Sequence, residues 1–279
     1  MSQLTIQNHT RVFNDFCYIY PVVSRRSQGL SLGINLNINN ACNWRCVYCQ
    51  VEGLVRGKPE PIDLVKLEHE LDYMLNWIVN GDFLEQRAPV ELRKFNDISL
   101  SGNGESTLSH QFTAVVEIIA KLRKKYQLSQ QKTVLITNGS EVEREDIQIG
   151  LRLLSTLNGE IWFKVDSVIK SGINRINQVN LSIESIKKRL LLASNLCKTY
   201  IQTCMFKNSG QDPSLDEVAE YINFVDDVKN SITGVLLYST ARNPALPEGN
   251  NISSVSEEFL ANIATQLINR NVPSVKYYQ

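Results

Sequence analysis

Apolar positions along the chain follow two different spacings. Short runs rich in Val, Ile, Leu and aromatic residues predict buried strands, whereas longer stretches with apolar residues every three or four positions predict helices. Six strands are predicted from the short runs, at residues 31–38, 97–101, 133–137, 160–166, 200–206 and 234–240.

A helix is predicted after each of these strands. Residues such as Asp63, Ser182 and Ser256 precede the apolar stripes and are typical helix caps, because their side chains accept from N–H groups that lack a partner in the first turn. The predicted helices cover residues 63–80, 112–125, 143–157, 182–198, 214–228 and 256–270.

The alternation of strands and helices predicts an α/β protein. Six repeats of strand and helix are typical of βαβ units with a parallel sheet, but periodicity does not distinguish a flat doubly wound sheet from a curved barrel. We expect residues 1–30 to be an irregular lead-in that packs on the core, and residues 31–279 to form one domain. Residues 272–278 are predicted to be a short terminal strand or tail.

Amino-acid composition excludes few classes of protein but does indicate the cellular compartment. The chain has 279 residues, with 29 basic and 29 acidic side chains, so it lacks the positive charge of a general nucleic-acid binder. Its six cysteines are few and show no disulfide spacing, which favours a reducing compartment. No apolar segment resembles a signal peptide or a membrane span. We expect a cytoplasmic protein without a membrane partner.

Three cysteines stand close together after the first predicted strand. Cys42, Cys46 and Cys49 have the spacing C-x-x-x-C-x-x-C, and thiolates are ligands for iron–sulfur clusters and for zinc. Structural zinc sites take four ligands, yet the nearest spare ligand is His69, inside a predicted helix. The pattern therefore favours a [4Fe–4S] cluster with one open iron. A zinc-stabilised or iron–sulfur binding module without catalysis is the alternative.

Other polar residues follow the remaining predicted strands. Because the carboxyl ends of parallel strands share one edge of a sheet, we expect these residues to converge on the cysteines. They are Gly102, Asn103, Gly104 and Glu105 after the second strand, Asn138 after the third, Lys164 and Asp166 at the end of the fourth, Gln202 in the fifth, and Tyr238 and Arg242 around the end of the sixth.

Together these motifs resemble the radical S-adenosylmethionine (radical SAM) enzymes. The cysteine spacing with Tyr48, the Gly102-x-Gly104-Glu105 motif, Thr137-Asn138-Gly139 and the segment from Tyr238 to Arg242 are similar to the branch related to wyosine tRNA-base-forming enzymes. The resemblance implies a single-domain partial (β/α)6 barrel and an oxidoreductase with a [4Fe–4S] cluster and SAM. Reductive cleavage of SAM would yield a 5′-deoxyadenosyl radical that abstracts hydrogen from substrate. Ser106 departs from the proline that many relatives have there.

The resemblance also implies roles for individual residues. The Gly102–Glu105 loop would meet the amino group of SAM, and Lys164 its carboxylate. Asp166 and Gln202 would lie near the ribose, and Tyr48 with Asn138 near the adenine. A solvated ion pair at a strand end is the alternative for Lys164 and Asp166.

The substrate is expected to be a small molecule or a nucleoside. Arg25, Arg26 and Arg242, with Tyr238, are candidates to bind a phosphate or carboxylate of that substrate. The resemblance further implies an electron donor such as flavodoxin or ferredoxin. A tRNA substrate stays open, although the charge balance gives it little support. A glycyl-radical-activating enzyme, which acts on a partner protein, is the alternative activity. Cys197 and Cys204 are expected to be ordinary buried thiols, and none of Cys17, Cys197 and Cys204 is expected to be a cluster ligand.

Overall fold

Strands supply the framework of the molecule. The computed structural model describes residues 4–5, 11, 13–24 and 28–278. The strands in this part of the chain are β1 (Ile19–Ser24), β2 (Gly29–Ile34), β3 (Ala41–Cys42), β4 (Val55–Arg56), β5 (Phe95–Leu100), β6 (Lys132–Thr137), β7 (Gly159–Lys164), β8 (Thr199–Cys204), β9 (Phe206–Asn208), β10 (Gly234–Tyr238), β11 (Ile252–Ser254) and β12 (Val275–Tyr278).

Eight of these strands form one mostly parallel sheet in the order β1-β2-β5-β6-β7-β8-β10-β12. Only β1 and β2 pair antiparallel in this sheet, and every other neighbouring pair is parallel. The six predicted strands are all present, and the terminal strand joins the sheet beside β10. The prediction of an α/β protein with a parallel sheet is therefore confirmed.

Helices connect the parallel strands and cover the sheet. Six of them match the predicted helices, and Asp63, Ser182 and Ser256 cap three of these through side-chain oxygens. The helices are α1 (Leu64–Asn80), α2 (Phe83–Arg87), α3 (Phe112–Lys125), α4 (Glu145–Ser155), α5 (Lys170–Asn177), α6 (Ile183–Leu196), α7 (Leu215–Val228) and α8 (Glu257–Asn269). No helix in the described ranges is both long and apolar enough to cross a bilayer.

The N-terminal segment differs from its prediction as an irregular lead-in. Residues 19–24 form β1, which pairs with β2 from Ile19 opposite Ile34 to Ser24 opposite Gly29. Pro21 argues against a strand because it lacks an N–H, but β1 is an edge strand, where proline is tolerated. The strand also covers the edge of β2, which would otherwise expose unpaired backbone groups.

Helix α5 was not predicted from the sequence. It has only eight residues, and Gly172 lies within it, so its apolar pattern is too short to stand out. Ile173 and Ile176 are nevertheless buried on one face. The position of this helix next to the three cysteines gives it a role in the site described below.

Candidate functional site

A cavity of about 310 Å³ lies at the C-terminal edge of the parallel strands. Every strand of the eight-stranded sheet contributes at least one residue to its wall, from Tyr20 on β1 to Tyr278 on β12. The predicted site residues that line it are Cys42, Cys46, Tyr48, Cys49, Gly102, Asn103, Gly104, Glu105, Asn138, Lys164, Tyr238 and Arg242. The expected convergence of the motifs is thus observed for twelve side chains or loop positions.

Residues 42–49, which we call the cysteine loop, are docked on the C-terminal end of α5. The backbone N–H of Val47 donates to the carbonyl of Ile176 at 2.9 Å, and that of Arg45 donates to the carbonyl of Asn177 at 3.2 Å. Carbonyls in the last turn of a helix have no partner within the helix. The cysteine loop therefore satisfies the end of α5 and takes a fixed position from it.

The other side of the cysteine loop is held by a chain of side-chain amides. Asn138 Nδ2 donates to Asn43 Oδ1 at 2.9 Å, and Asn43 Nδ2 donates to Ser140 Oγ at 2.7 Å. Asn138 follows β6, so this chain joins the cysteine loop to the third predicted strand. The side chain expected to lie near adenine is therefore also a brace of the loop.

The pKa values of two thiols of the cysteine loop are raised well above the usual value for a cysteine. Burial raises the pKa of Cys42 to about 12, with a further increase from the charge of Glu105. Burial also raises the pKa of Cys46 to about 12; Asp166 adds to this effect, and Lys164 and Asn177 oppose it. Both groups are therefore thiols at neutral pH, and cluster binding must release their protons.

Residues 102–105, which we call the glycine loop, pack against the segment that follows β2. A Cβ atom at Gly102 would overlap Asn35 Oδ1, and one at Gly104 would overlap the carbonyl of Ala41. Asn35 Oδ1 accepts from the backbone N–H of Asn103 at 3.0 Å. The glycines are thus required by close approach.

Two asparagines after β2 tie the two loops together and were not predicted as site residues. Asn35 Oδ1 accepts from the backbone N–H of Asn37 at 3.0 Å, and Asn37 Nδ2 donates to the carbonyl of Ala41 at 2.9 Å. Both side chains are buried. The available signal was an Asn-x-Asn pair directly after a strand, since asparagine readily bonds to nearby backbone.

Glu105 uses its carboxylate within the protein. The carboxylate accepts from the backbone N–H and the hydroxyl of Thr107 at 3.0 and 2.6 Å, from Thr137 Oγ1 at 2.8 Å and from the backbone N–H of Asn138 at 2.6 Å. Burial raises the pKa of Glu105, and these hydrogen bonds oppose that rise. Glu105 is therefore a link between the glycine loop and β6.

Lys164 provides a buried positive charge in the cavity wall. Its Nζ donates to the hydroxyl of Tyr238 at 2.9 Å and lies 4.9 Å from the ring centre of Tyr48. Burial lowers the pKa of Lys164, but Asp166, whose Oδ1 lies 3.8 Å from Nζ, acts together with Tyr238, Cys46 and Cys204 to leave the pKa raised. A charged ammonium facing a cavity suits the binding of an anionic group.

Asp166 and Gln202 are not among the described residues that line this cavity. Asp166 lies behind Tyr48 and accepts from the Tyr48 hydroxyl, from Asn177 Nδ2 at 2.8 Å and from the backbone N–H of Cys204 at 3.1 Å. Gln202 is 1% exposed, and its Nε2 has no hydrogen-bond partner in the described part of the chain. The interior position of Asp166 makes it a support for Tyr48.

The arginines expected to bind an anion divide into two groups. Arg25 and Arg26 lie outside the described residues. Arg242 lines the cavity, and its backbone carbonyl accepts from Gln50 Nε2 at 3.2 Å, next to the last cysteine. Arg242 therefore lies beside the cysteine loop, and its binding of an anion stays a prediction.

The remaining cysteines occupy three different surroundings. Cys17 is exposed and Cys197 is buried at the end of α6, and neither is among the described residues of the cavity wall. Cys204 is buried but lines the cavity, a position that the sequence did not reveal. Within the described ranges, no three Cys, His, Asp or Glu side chains are grouped closely enough to hold a single metal ion.

Comparison with known proteins gives one curated relative in sequence. The chain is 29% identical over 170 residues to UPF0026 protein slr1464 of Synechocystis sp. (strain ATCC 27184 / PCC 6803 / Kazusa). This match covers 61% of the chain and 56% of that protein, so the chain spans little more than half the length of this relative. No protein-family model matches the sequence.

Two solved structures resemble most of the arrangement of strands and helices. A structure of TYW1 with a lysine-pyruvate adduct bound has a TM-score of 0.59 at 14% identity, over 86% of this chain and 73% of that one. Streptococcus suis SuiB bound to S-adenosylmethionine has a TM-score of 0.55 at 13% identity, over 90% of this chain and 47% of that one. The chain therefore shares the fold of these two proteins.

Proposed function

We propose that the protein is a radical SAM enzyme with one [4Fe–4S] cluster that acts on a small molecule or a nucleoside. The observation that carries this proposal is the meeting of the cysteine loop and the glycine loop on one cavity. When bound, the cluster supplies the electron that cleaves SAM to methionine and a 5′-deoxyadenosyl radical. The chain itself supplies binding, orientation and a wall that limits access of water.

Cys42, Cys46 and Cys49 are the residues that would hold the cluster. All three line the same cavity, and thiolates are the usual ligands of such clusters. The cysteine loop is fixed at α5 on one side and at Asn138 on the other. The residues present therefore fit a cluster with three protein ligands.

The SAM site would lie between the two loops. Backbone groups of Gly102, Asn103 and Gly104 would meet the amino group, and the Lys164 ammonium would meet the carboxylate. Tyr48 would lie against the adenine. Asp166 would act through the hydroxyl of Tyr48, since its own oxygens are occupied inside the protein. Asn138 and Gln202 stay candidates for hydrogen bonds to the nucleoside part.

The fold proposed for residues 31–279 is a partial (β/α)6 barrel in one domain. Its support is the cavity, because a flat sheet could not bring residues from its first and last strands, such as Tyr20 and Tyr278, to one wall. Residues 1–30 are proposed to pack on this core, and β1 within them pairs with β2. The six cysteines are free thiols, which supports a reducing, cytoplasmic setting.

Arg242 and Tyr238 are the proposed contacts for an anionic group of the substrate. Both line the cavity near the cysteine loop, and a guanidinium matches a phosphate or carboxylate. Arg25 and Arg26 are retained as further candidates. An external one-electron donor such as flavodoxin or ferredoxin would reduce the cluster.

The test is SAM cleavage by protein loaded with iron and sulfide under anaerobic conditions. We expect about four irons per chain and slow formation of 5′-deoxyadenosine after dithionite reduction, even without substrate. Cys46→Ala should abolish both, and Cys17→Ala should affect neither. Zinc without iron after reconstitution, or failure of iron-loaded protein to bind SAM in calorimetry, would contradict the proposal.

A further inference from the structure

The side chain of Asn177 contacts the sulfur of a half-buried cysteine at the cavity wall. Asn177 is the last residue of α5 and is 2% exposed. Its Nδ2 lies 3.3 Å from Cys46 Sγ, within the range of an N–H···S hydrogen bond. No sequence motif drew attention to this residue, because α5 itself was not predicted.

The direction of the Asn177 amide is fixed by Asp166. Nδ2 also donates to Asp166 Oδ2 at 2.8 Å, and an amide nitrogen carries two hydrogens, so it can serve both acceptors. If the amide were turned over, its oxygen would face the carboxylate and the contact would be repulsive. The same carboxylate is held by the Tyr48 hydroxyl and the backbone N–H of Cys204. Because Asp166 fixes the orientation of the amide, the second hydrogen of Asn177 Nδ2 points at Cys46 Sγ.

A hydrogen bond to a cysteine sulfur has a definite electrostatic effect on a cluster. The donor stabilises the reduced, more negative cluster more than the oxidised one, so it raises the reduction potential. Asn177 is 2% exposed, so water does not compete for its amide hydrogens, whereas Cys46 is half-buried at the cavity wall. Lys164 acts in the same direction, and Asp166 acts in the opposite one.

We infer that Asn177 is a positioning residue that raises the reduction potential of the cluster through its hydrogen bond to Cys46 Sγ. This inference rests on the proposed function. It assigns Asp166 a second task, which is to orient the Asn177 amide. A continuous set of hydrogen bonds thus connects Tyr48, a residue of the proposed SAM site, through Asp166 and Asn177 to the proposed cluster ligand Cys46.

The first experiment is a redox titration of the cluster in the absence of SAM. Electron paramagnetic resonance monitors the fraction of reduced cluster. Asn177→Leu keeps the size of the side chain and removes the donor. At a fixed solution potential we expect the ratio of reduced to oxidised cluster to fall about tenfold, which is about 59 mV for a one-electron couple. An unchanged ratio in an iron-loaded Asn177→Leu protein overturns the inference.

Asn138→Leu is the matched control. It also replaces Asn by Leu, and it removes a hydrogen bond from a side-chain amide to Asn43 of the same loop. The acceptor of that hydrogen bond is an oxygen and not a sulfur. We expect its potential to stay at the wild-type value. An equal shift in both variants would mean that loosening of the loop is the cause, and would contradict the inference.

A double-mutant cycle tests the orienting task of Asp166. In an Asp166→Asn background the carboxylate that directs the Asn177 amide is lost, so Asn177→Leu should lower the potential by less than it does in the wild-type background. An equal shift in both backgrounds would overturn the orienting task assigned to Asp166.

The wild-type protein offers a measurement that does not depend on a variant folding. Resonance Raman bands of Fe–S(Cys) stretching should shift when the exchangeable amide hydrogens are replaced by deuterium, and the absence of any shift contradicts the bond. If wild-type protein cleaves SAM but Asn177→Leu leaves the potential unchanged, only this inference fails. If wild-type protein takes up no iron, the proposed function and this inference fail together.

Discussion

At the scale of single residues, the buried carboxylates of Glu105 and Asp166 are paired within the chain. Glu105 accepts four hydrogen bonds and Asp166 accepts three, counting side-chain and backbone donors. Burying a carboxylate without such partners would lower the free energy of unfolding by on the order of several kcal/mol. The hydrogen-bond donors offset this loss. These acids therefore hold the loops in place, and Lys164 with the glycine-loop backbone presents the groups that face the cavity.

The raised pKa values of Cys42 and Cys46 predict how the cluster-free protein reacts. Only thiolates are alkylated, so modification of both residues by iodoacetamide should be slow near neutral pH and should increase about tenfold per pH unit towards their pKa of about 12. Urea should abolish this protection, because an unfolded thiol has a pKa of about 8.5. Peptide mass spectrometry checks the rates, with the exposed Cys17 as an internal control for the reagent.

The sign of the accompanying stability change follows from the same shifts. The folded-state pKa of each thiol lies above the unfolded value, so the stability that the neutral thiols contribute is complete below about pH 8.5 and is lost as pH rises towards about 12. Equal alkylation of folded and urea-unfolded protein at neutral pH would contradict the assigned burial of these thiols.

At the scale of elements, two of the pieces that the sequence pattern did not predict support the site. Helix α5 receives the cysteine loop at its C-terminal carbonyls. Strand β1 covers the edge of β2 and contributes Tyr20 to the cavity wall. Tyr20 lies over Gly33 of β2, and its hydroxyl bonds Ser101 Oγ at 2.9 Å, directly before the glycine loop.

Gly33 should tolerate no side chain while Tyr20 is present. A Cβ atom at Gly33 would overlap the tyrosine ring, so Gly33→Ala should lower the free energy of unfolding by about 1–3 kcal/mol, as overpacking does. Chemical denaturation measures this loss. Gly57→Ala is the control, since its nearest new contact would be at 3.9 Å, which is ordinary van der Waals distance.

The double variant Tyr20→Ala with Gly33→Ala tests whether the tyrosine ring is the obstacle. Its loss of stability should be smaller than the sum of the two single losses, because the collision is removed. Additive losses would show that Gly33 is needed for another reason.

At the scale of the whole molecule, the sheet brings distant parts of the chain to one cavity. The motifs lie between residues 42 and 242, and each follows or ends a different strand. The shared C-terminal edge of parallel strands collects them. The cavity also separates the cysteines, because Cys42, Cys46, Cys49 and Cys204 line it, whereas Cys17 and Cys197 are not among its described wall residues.

Iron content should depend on the three cysteines of the cysteine loop and not on every thiol that lines the cavity. Single changes to Ala at Cys42, Cys46 or Cys49 should abolish cluster loading, whereas Cys17→Ala and Cys197→Ala should leave about four irons per chain. Cys204→Ala is the sharpest control, since it removes a thiol of the same cavity outside the loop. Iron assay and visible absorption measure loading. Loss of the cluster in Cys17→Ala or Cys204→Ala would overturn the ligand assignment.

The sequence by itself determined six strands of the sheet, six of the helices and twelve positions of the cavity wall. Apolar periodicity is a local property, so it gave the six parallel strands and six of the helices within a few residues. Polar motifs at strand ends predicted the cavity residues, because parallel topology sends every such end to one edge. Short elements were missed for the converse reason: β1 contains Pro21, and α5 has too few turns to show a period.

Only the tertiary structure decided which polar groups face the cavity and which face each other. Lys164 and Asp166 are two residues apart and looked equivalent in sequence, yet Lys164 lines the cavity while Asp166 lies behind Tyr48. The bond from Asn177 to Cys46 joins residues 131 positions apart. Hydrogen-bond partners of this kind depend on how loops dock on helix ends, and no local pattern of apolar and polar residues encodes that docking.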